Sequence, residues 1–263
     1  MRKQIEQCAN RNRVRADMRK CGNMCLYRRA LTGVLAVLLA VEISACGGKA
    51  KPGQETGVSQ KAEITQEKAS APVWKEMRPE RSMELSYAKQ FSVDYYDGGY
   101  DLIQVQDDST CLVVPEGAAV PEGLPASITV LQKPLDHVYL AATSAMDLIA
   151  ALGRVDRITL SGTKESGWYV DAARQAMEDG TLSYAGKYSA PDYEQILSSG
   201  CDLALESTMI YHVPDVKAQL EQLKIPVFVE RSSYEEHPLG RMEWIRLYGV
   251  LFDAEETAEQ LFQ

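Results

Sequence analysis

The sequence predicts an α/β protein: a central parallel sheet with flanking helices, preceded by a small antiparallel hairpin. Three observations predict it. From Val138 to Val229, short apolar runs alternate with segments of helical periodicity, the pattern of a parallel sheet covered on both faces. Upstream, two strand-like runs flank Asp97-Gly98-Gly99, a hairpin turn signal. Composition, 45% hydrophobic and 25% charged over 263 residues, is that of a globular protein.

The elements follow in order. Residues 91–95 and 100–105 carry strand-type residues, and Thr110–Val114 follows through Asp107-Asp108-Ser109. Residues 115–125 are rich in Pro and Gly and read as loop; 128–131 is a further strand. Strands are then expected at 138–141, 157–160, 182–184, 202–205 and 225–229. Helices are expected between them at 144–152, 169–177, 190–197 and 213–223. Pro191 falls in the first turn of the third of these helices, where a missing N–H costs little. No internal repeat is visible.

Ligands of such sheets bind beyond the carboxyl ends of the strands. Those ends supply Thr143 and Ser144, Tyr188, Ser207, Thr208 and Tyr211, and Arg231 and Tyr234. These hydroxyls, aromatic rings and one cation are the candidate ligand-binding residues. Thr143 and Ser144 are equally placed to cap a helix. Arg231 could meet an anionic ligand or pair with Glu235 or Glu236. The loop after the first parallel strand reads Ala-Ala-Thr-Ser-Ala-Met, without a glycine-rich phosphate motif, and no nucleophile-elbow motif occurs. An enzyme is therefore disfavoured, and no catalytic residue is assigned.

Charge is uneven. Residues 1–45 hold nine Lys/Arg and three Asp/Glu, which leaves 19 basic against 34 acidic residues in 46–263, a net of −15. A body this acidic is a poor partner for nucleic acid. The basic head is followed by an apolar run from Leu31 to Val41, too short to span a bilayer comfortably and suited to a secretory signal. Ile43-Ser44-Ala45-Cys46-Gly47-Gly48 follows directly and resembles a bacterial lipobox, which makes Cys46 the expected lipidation site. Cleavage is expected at Ala45–Cys46, so 1–45 reads as a lipoprotein signal peptide. Met18 and Met24 offer more typical starts, and Cys8, Cys21 and Cys25 match no zinc spacing. Residues 46–85 are polar and read as a disordered tether. Cys111 and Cys201 could form one disulfide or remain thiols, with a buried thiol the simpler reading for Cys201.

Several blocks in order carry a family likeness. Tyr139-Leu140-Ala141-Ala142-Thr143-Ser144-Ala145-Met146-Asp147-Leu148 resembles the first strand and helix of the iron-siderophore, haem and cobalamin class of solute-binding lipoproteins of ABC importers. Tyr193–Leu197 followed by Gly200-Cys201-Asp202-Leu203-Ala204 is similar to that class's next helix and strand, and Ile225–Glu230 to the strand after it. The run from Ser233 to Ile245 (SYEEHPLGRMEWI) resembles a block of its siderophore branch. The likeness covers about residues 86–263. It implies a clamshell of two α/β lobes joined by a long helix, each lobe Rossmann-like. Residues 86–234 would form the N-terminal ligand-binding lobe. Residues 235–263 would be helices leading to a second lobe that this sequence does not contain. Asp253-Ala254-Glu255-Glu256 has the form of a capping box that would open the interlobe helix.

The resemblance also implies an iron chelate as ligand (a ferric siderophore, haem or cobalamin), no resident cofactor, and a permease with its ATPase as partners. It implies an extracytoplasmic, lipid-anchored location. Glu194 matches the surface glutamate that docks such a lobe onto basic permease residues. A related class binds bare zinc or manganese through His and carboxylates, and His137, His212 and His237 leave that alternative open. His137 is expected at the opposite end of the sheet from His212, and His237 at a helix start beside Pro238. A single lobe offers one wall of a cleft, so weak binding or none is the further alternative.

Overall fold

The computed structural model describes residues 71–106 and 109–263. The expected signal peptide, Cys46 and the first part of the tether, to residue 70, lie outside the described residues, as do Cys8, Cys21, Cys25 and the Asp107-Asp108 turn. Order starts earlier than the sequence suggested. Residues 71–85, read as tether, hold a 3-10 turn at Trp74–Glu76 and a strand, β1 (Pro79–Ser82).

Strands β2 (Phe91–Tyr96), β3 (Tyr100–Val105), β4 (Ser109–Val114) and β5 (Ile128–Gln132) join β1 in a five-stranded sheet in chain order. The first four strands are antiparallel neighbours, and β5 runs parallel to β4. The hairpin expected from Asp97-Gly98-Gly99 is present, with Gly98 at φ 77 and Gly99 at φ 80, inside a larger sheet than the sequence indicated. Side chains alternate between its two faces. Val93, Ile103, Cys111, Val113 and Leu131 enter the main core. Tyr100, Leu102, Leu112 and Val114 pack outward under Trp74 and Met77.

The second sheet is parallel throughout. Its strands are β6 (Val138–Leu140), β7 (Ile158–Ser161), β8 (Ser183–Tyr184), β11 (Leu203–Ser207) and β12 (Val227–Glu230). Spatial order is β8-β7-β6-β11-β12, so the chain moves outward from β6 one way and then restarts on its other side. The remaining two strands, β9 (Gly186–Lys187) and β10 (Ala190–Pro191), form a separate small hairpin. Helices α1 (Ala145–Ala151), α2 (Asp171–Glu178), α3 (Tyr193–Ser198) and α4 (Pro214–Gln222) connect the strands, and α5 (Pro238–Leu251) and α6 (Glu255–Phe262) close the chain.

Both faces of this sheet are buried, as expected of parallel strands under helices. Along β6, Val138 and Leu140 face one core with Leu203, Leu205, Phe228 and the α5 residues Trp244 and Tyr248. Tyr139 faces the other, with Leu160, Ala204, Val229, Ile196 of α3 and Leu220 of α4. Trp168 is buried and its Nε1 donates to Ser161 Oγ at 3.2 Å.

Two expectations about helices are corrected. Pro191 belongs to β10, and α3 starts only at Tyr193, with the Asp192 carboxylate accepting from the Gln195 N–H at 3.0 Å. The Asp253 capping box does not form. Asp253 adopts φ 52, an accessible conformation for Asp, and its carboxylate pairs with Lys133 at 2.6 Å while Ala254 takes the cap position. Helices α5 and α6 pack closely: a Cβ on Gly249 would stand 2.9 Å from Ala258 Cβ.

The block from Ser233 to Ile245 is a structural latch. Glu243, fully buried, accepts the N–H groups of Ser86, Tyr87 and Ala88, each at 2.7 Å. Glu235 accepts those of Lys89 at 2.8 Å and Gln90 at 2.9 Å, together with Trp244 Nε1 at 2.9 Å. Five consecutive backbone donors that have no strand partner are thereby satisfied by two carboxylates, since buried donors need acceptors. His237 caps α5, its Nδ1 accepting from the Leu239 N–H at 3.1 Å, and stacks on Tyr87 with ring centroids 4.8 Å apart. Pro238 occupies the first turn, where it fits.

Candidate ligand-binding site

Reversal of strand order at β6 creates a switch point, where connections leave β6 and its neighbour in opposite directions, the place beyond the carboxyl ends where sheets of this kind bind ligands. The loops after β6, β11 and β12 meet there. Ala141 and Ala142 N–H groups both donate to Leu205 O, at 2.9 and 3.1 Å, which pins the first loop to β11. Gly162, after β7, lies against the same loop: a Cβ there would stand 3.0 Å from Ala141 Cα.

Ser144 holds the N-cap position of α1, yet its side chain does not cap the helix. Its Oγ instead donates to Glu230 Oε1 at 2.5 Å, while Glu230 Oε2 accepts the Ser232 N–H at 2.9 Å. Glu230, 1% exposed, thus ties the β6 loop to the β12 loop. Thr143, beside Ser144, is exposed at the rim.

Ser207 ends β11, and its Oγ accepts the Met209 N–H at 3.4 Å, opening a 3-10 turn over Thr208–His212. Thr208 Oγ1 lies 3.3 Å from Tyr234 Oη. The Arg231 guanidinium stands 4.5 Å above the Tyr234 ring, and its Nε donates to Gln90 Oε1 at 3.2 Å. Neither Glu235 nor Glu236 pairs with Arg231; Glu235 is committed to the latch and Glu236 lies 3.4 Å from Lys89. Met209, Tyr211 and Tyr234 are 44%, 42% and 53% exposed, so the rim presents aromatic and thioether surface beside one cation. Stacked Arg and polar-tipped aromatics suit a flat, anionic guest.

Ser144, Thr208, Arg231 and Tyr234 are therefore brought together, with Thr143, Ser207 and Tyr211 on the same loops. Tyr188 sits on the turn of the β9–β10 hairpin, which is tied to the central strand β6 where Gly186 O accepts the Tyr139 hydroxyl at 2.9 Å. Glu194 is exposed in the first turn of α3, at the rim end of the sheet. Of its neighbours, Ile196 is buried and Leu197 is 47% exposed.

Sequence reasoning missed Gln90, Glu230 and Glu206. Glu206 lies at the carboxyl end of β11, fully buried, with no hydrogen-bond partner on either oxygen. Burial pushes its carboxyl up to about 8. The available signal was a charged residue inside two apolar strand runs, Leu203-Ala204-Leu205-Glu206 and Val227-Phe228-Val229-Glu230. Cys201 Sγ lies 3.3 Å from Leu203 O, and burial raises its thiol to about 11, which makes it an inert thiol.

The three histidines stand apart. His137 neighbours Asp136 before β6, His212 ends the turn after β11, and His237 caps α5. No group of three His, Cys, Asp or Glu residues among those described could hold a metal ion. Two pockets lie away from the switch point. One of about 510 Å³ is lined by Pro72, Val73, residues 76–80 and Asp97; the other, of about 240 Å³, lies between Tyr95, Arg246 and α6.

No protein-family model matches the chain. It is 22% identical over 260 residues to an uncharacterized lipoprotein of Methanocaldococcus jannaschii. That alignment covers 88% of this chain and 58% of the relative, so the chain spans less than two thirds of the length of the protein it matches. Among solved structures it is similar to periplasmic binding proteins. A haem-binding protein of Pseudomonas aeruginosa is 18% identical, with 48% of this chain and 42% of that one covered and a TM-score of 0.39. The molybdate-binding protein of Haemophilus influenzae is 14% identical, with 49% and 44% covered and a TM-score of 0.41. A Fe3+-hydroxamate transport protein of Saccharomonospora viridis is 21% identical, with 49% and 47% covered and a TM-score of 0.37.

Proposed function

We propose that this chain is the solute-binding component of an ABC importer, capturing an iron chelate outside the cytoplasm and delivering it to a membrane permease. One observation carries the reading: beyond the carboxyl ends of β11 and β12, the switch-point rim holds a stacked Arg231–Tyr234 pair with Thr208 and Gln90. The rim offers aromatic surface beside a cation, which suits a flat, anionic ligand. The leader and lipobox-like motif before Cys46 support an extracytoplasmic lipoprotein, as does the likeness to an archaeal lipoprotein.

Titration with ferric siderophores and haem, followed by Trp and Tyr fluorescence, tests this. The rim residues are open to solvent, whereas cleft ligands are buried on most of their surface, so the dissociation constant expected of these residues alone is roughly tens of micromolar or weaker. Arg231→Ala is expected to weaken it by about tenfold, since a stacked, hydrogen-bonded guanidinium contributes on the order of 1–2 kcal/mol to an anion. Absence of saturable binding to every chelate, or equal binding by Arg231→Ala, removes the reading.

Cellular work separates anchoring from delivery. The proposed lipid on Cys46 would hold the protein at the membrane, and Glu194, exposed at the rim end, would meet basic permease residues and set encounter and register more than affinity. Cys46→Ala is expected to shift the protein to the soluble fraction. Glu194→Lys is expected to keep membrane retention and ligand affinity while uptake falls. Unchanged retention or unchanged uptake, respectively, removes each assignment.

A further inference from the structure

Glu206 has no role in the ligand contacts above, yet it occupies an unusual position. It is the last buried residue of β11, two residues before the turn that carries Thr208, Met209 and Tyr211. It is fully buried, and neither carboxyl oxygen has a hydrogen-bond partner. An ion in that place would carry a large uncompensated cost, whereas the neutral acid carries a modest one. Its side chain lies on the Tyr139–Ala204–Val229 face of the sheet, opposite Glu230, because Glu206 pairs in register with Val229.

No cation faces it. The titratable groups it influences are Tyr139 of β6 and Tyr193 of α3, and a charged Glu206 would push both hydroxyls further up. The Tyr139 hydroxyl is engaged with Gly186 O at 2.9 Å. The elements packed over this face contribute Ala185, Ile196, Ile210 and Leu220, all apolar. Their charged residues, Lys187, Asp192, Glu194, His212, Asp215 and Glu221, are exposed, and Lys217 pairs with Glu221.

We propose that Glu206 is a proton-linked latch beneath the rim: the neutral acid keeps the turn Thr208–His212 seated on the sheet, and ionisation unseats it. The consequence for capture rests on the ligand-binding reading of the rim, but the latch does not. The sign follows from linkage. Its carboxyl is held at about 8 when the turn is seated and returns toward 4.5 when the turn opens to water. The stabilisation is thus complete below the open-state value and is lost as pH rises towards the seated one. Between about pH 5.5 and 7.5, opening releases one proton and should grow about tenfold per pH unit, levelling off above pH 8.

Hydrogen exchange over residues 207–213, expressed as protection factors so that the intrinsic pH dependence cancels, reads this without any ligand. Wild-type protection is expected to fall about a hundredfold from pH 5.5 to 7.5, while protection over β2 and β3 stays level. Glu206→Gln, and independently Glu206→Met, should flatten the profile. A flat wild-type profile, or an equal fall in both variants, overturns the latch. Failure of the rim to bind any chelate would leave these profiles untouched and would count only against the ligand reading.

Discussion

Replacing Glu243 by alanine is expected to lower the melting temperature by about 10 °C. The residue lies on α5, fully buried, and holds three successive N–H groups at 2.7 Å. Hydrogen bonds to a charged acceptor are among the strong ones, and an unmade buried bond costs about 1–3 kcal/mol. Ser86 and Tyr87 are partly open to water, so the sum is nearer 3–4 kcal/mol than the upper bound, and a domain of this size loses about 2–4 °C per kcal/mol. Arg246 loses one partner at 3.4 Å but keeps Glu259 at 2.9 Å and Glu84 O, which limits the secondary damage. Thermal unfolding followed by circular dichroism measures it. A fall under about 3 °C would mean that the 86–88 donors find other acceptors. Glu243→Gln should fall between the two, because an amide oxygen still accepts while its NH2 faces the donors.

Gly186→Ala is the second large effect. Gly186 has φ 81, and a Cβ there would stand 2.3 Å from Ala190 O and 2.8 Å from Pro191 Cα, both backbone atoms of the paired strand β10. No rotamer relieves contact with backbone, so the hairpin must shift. The left-handed conformation alone costs about 1–2 kcal/mol for alanine, and forced repacking adds about 1–3 kcal/mol. The shift also pulls Gly186 O from the buried Tyr139 hydroxyl. A total of about 3–4 kcal/mol is expected, and Tyr139→Phe in the same background should add less than it does alone, because the bond is already lost. A cost below about 1 kcal/mol, or full additivity of the two substitutions, contradicts this account.

The sequence made the parallel sheet legible because its strands are short, apolar on both faces and separated by periodic helices. Boundaries came within a residue or two at β7, α1 and α4. Pro191 was misread because proline suits a helix start as well as an edge strand, and only Gly186, five residues earlier, distinguishes the two through its contact across the β9–β10 pair. The roles of Glu235 and Glu243 were hidden for another reason. Their partners are backbone N–H groups about 150 residues away, and main-chain donors leave no mark on residue type. Arg231 was placed at the rim, but its choice of Tyr234 and Gln90 over Glu235 depends on the latch having already claimed that carboxylate.

The latch also bears on how the fold forms and comes apart. Its bonds join positions up to 157 residues apart, a closure worth roughly 4–5 kcal/mol of chain entropy before any contact is made. A link of such long range is expected late, on the native side of the folding barrier. Loss of Glu243 should therefore appear mainly in the unfolding limb of a chevron plot, with the refolding rate little changed. The two carboxylates set the lifetime of the folded chain more than the speed with which it is reached.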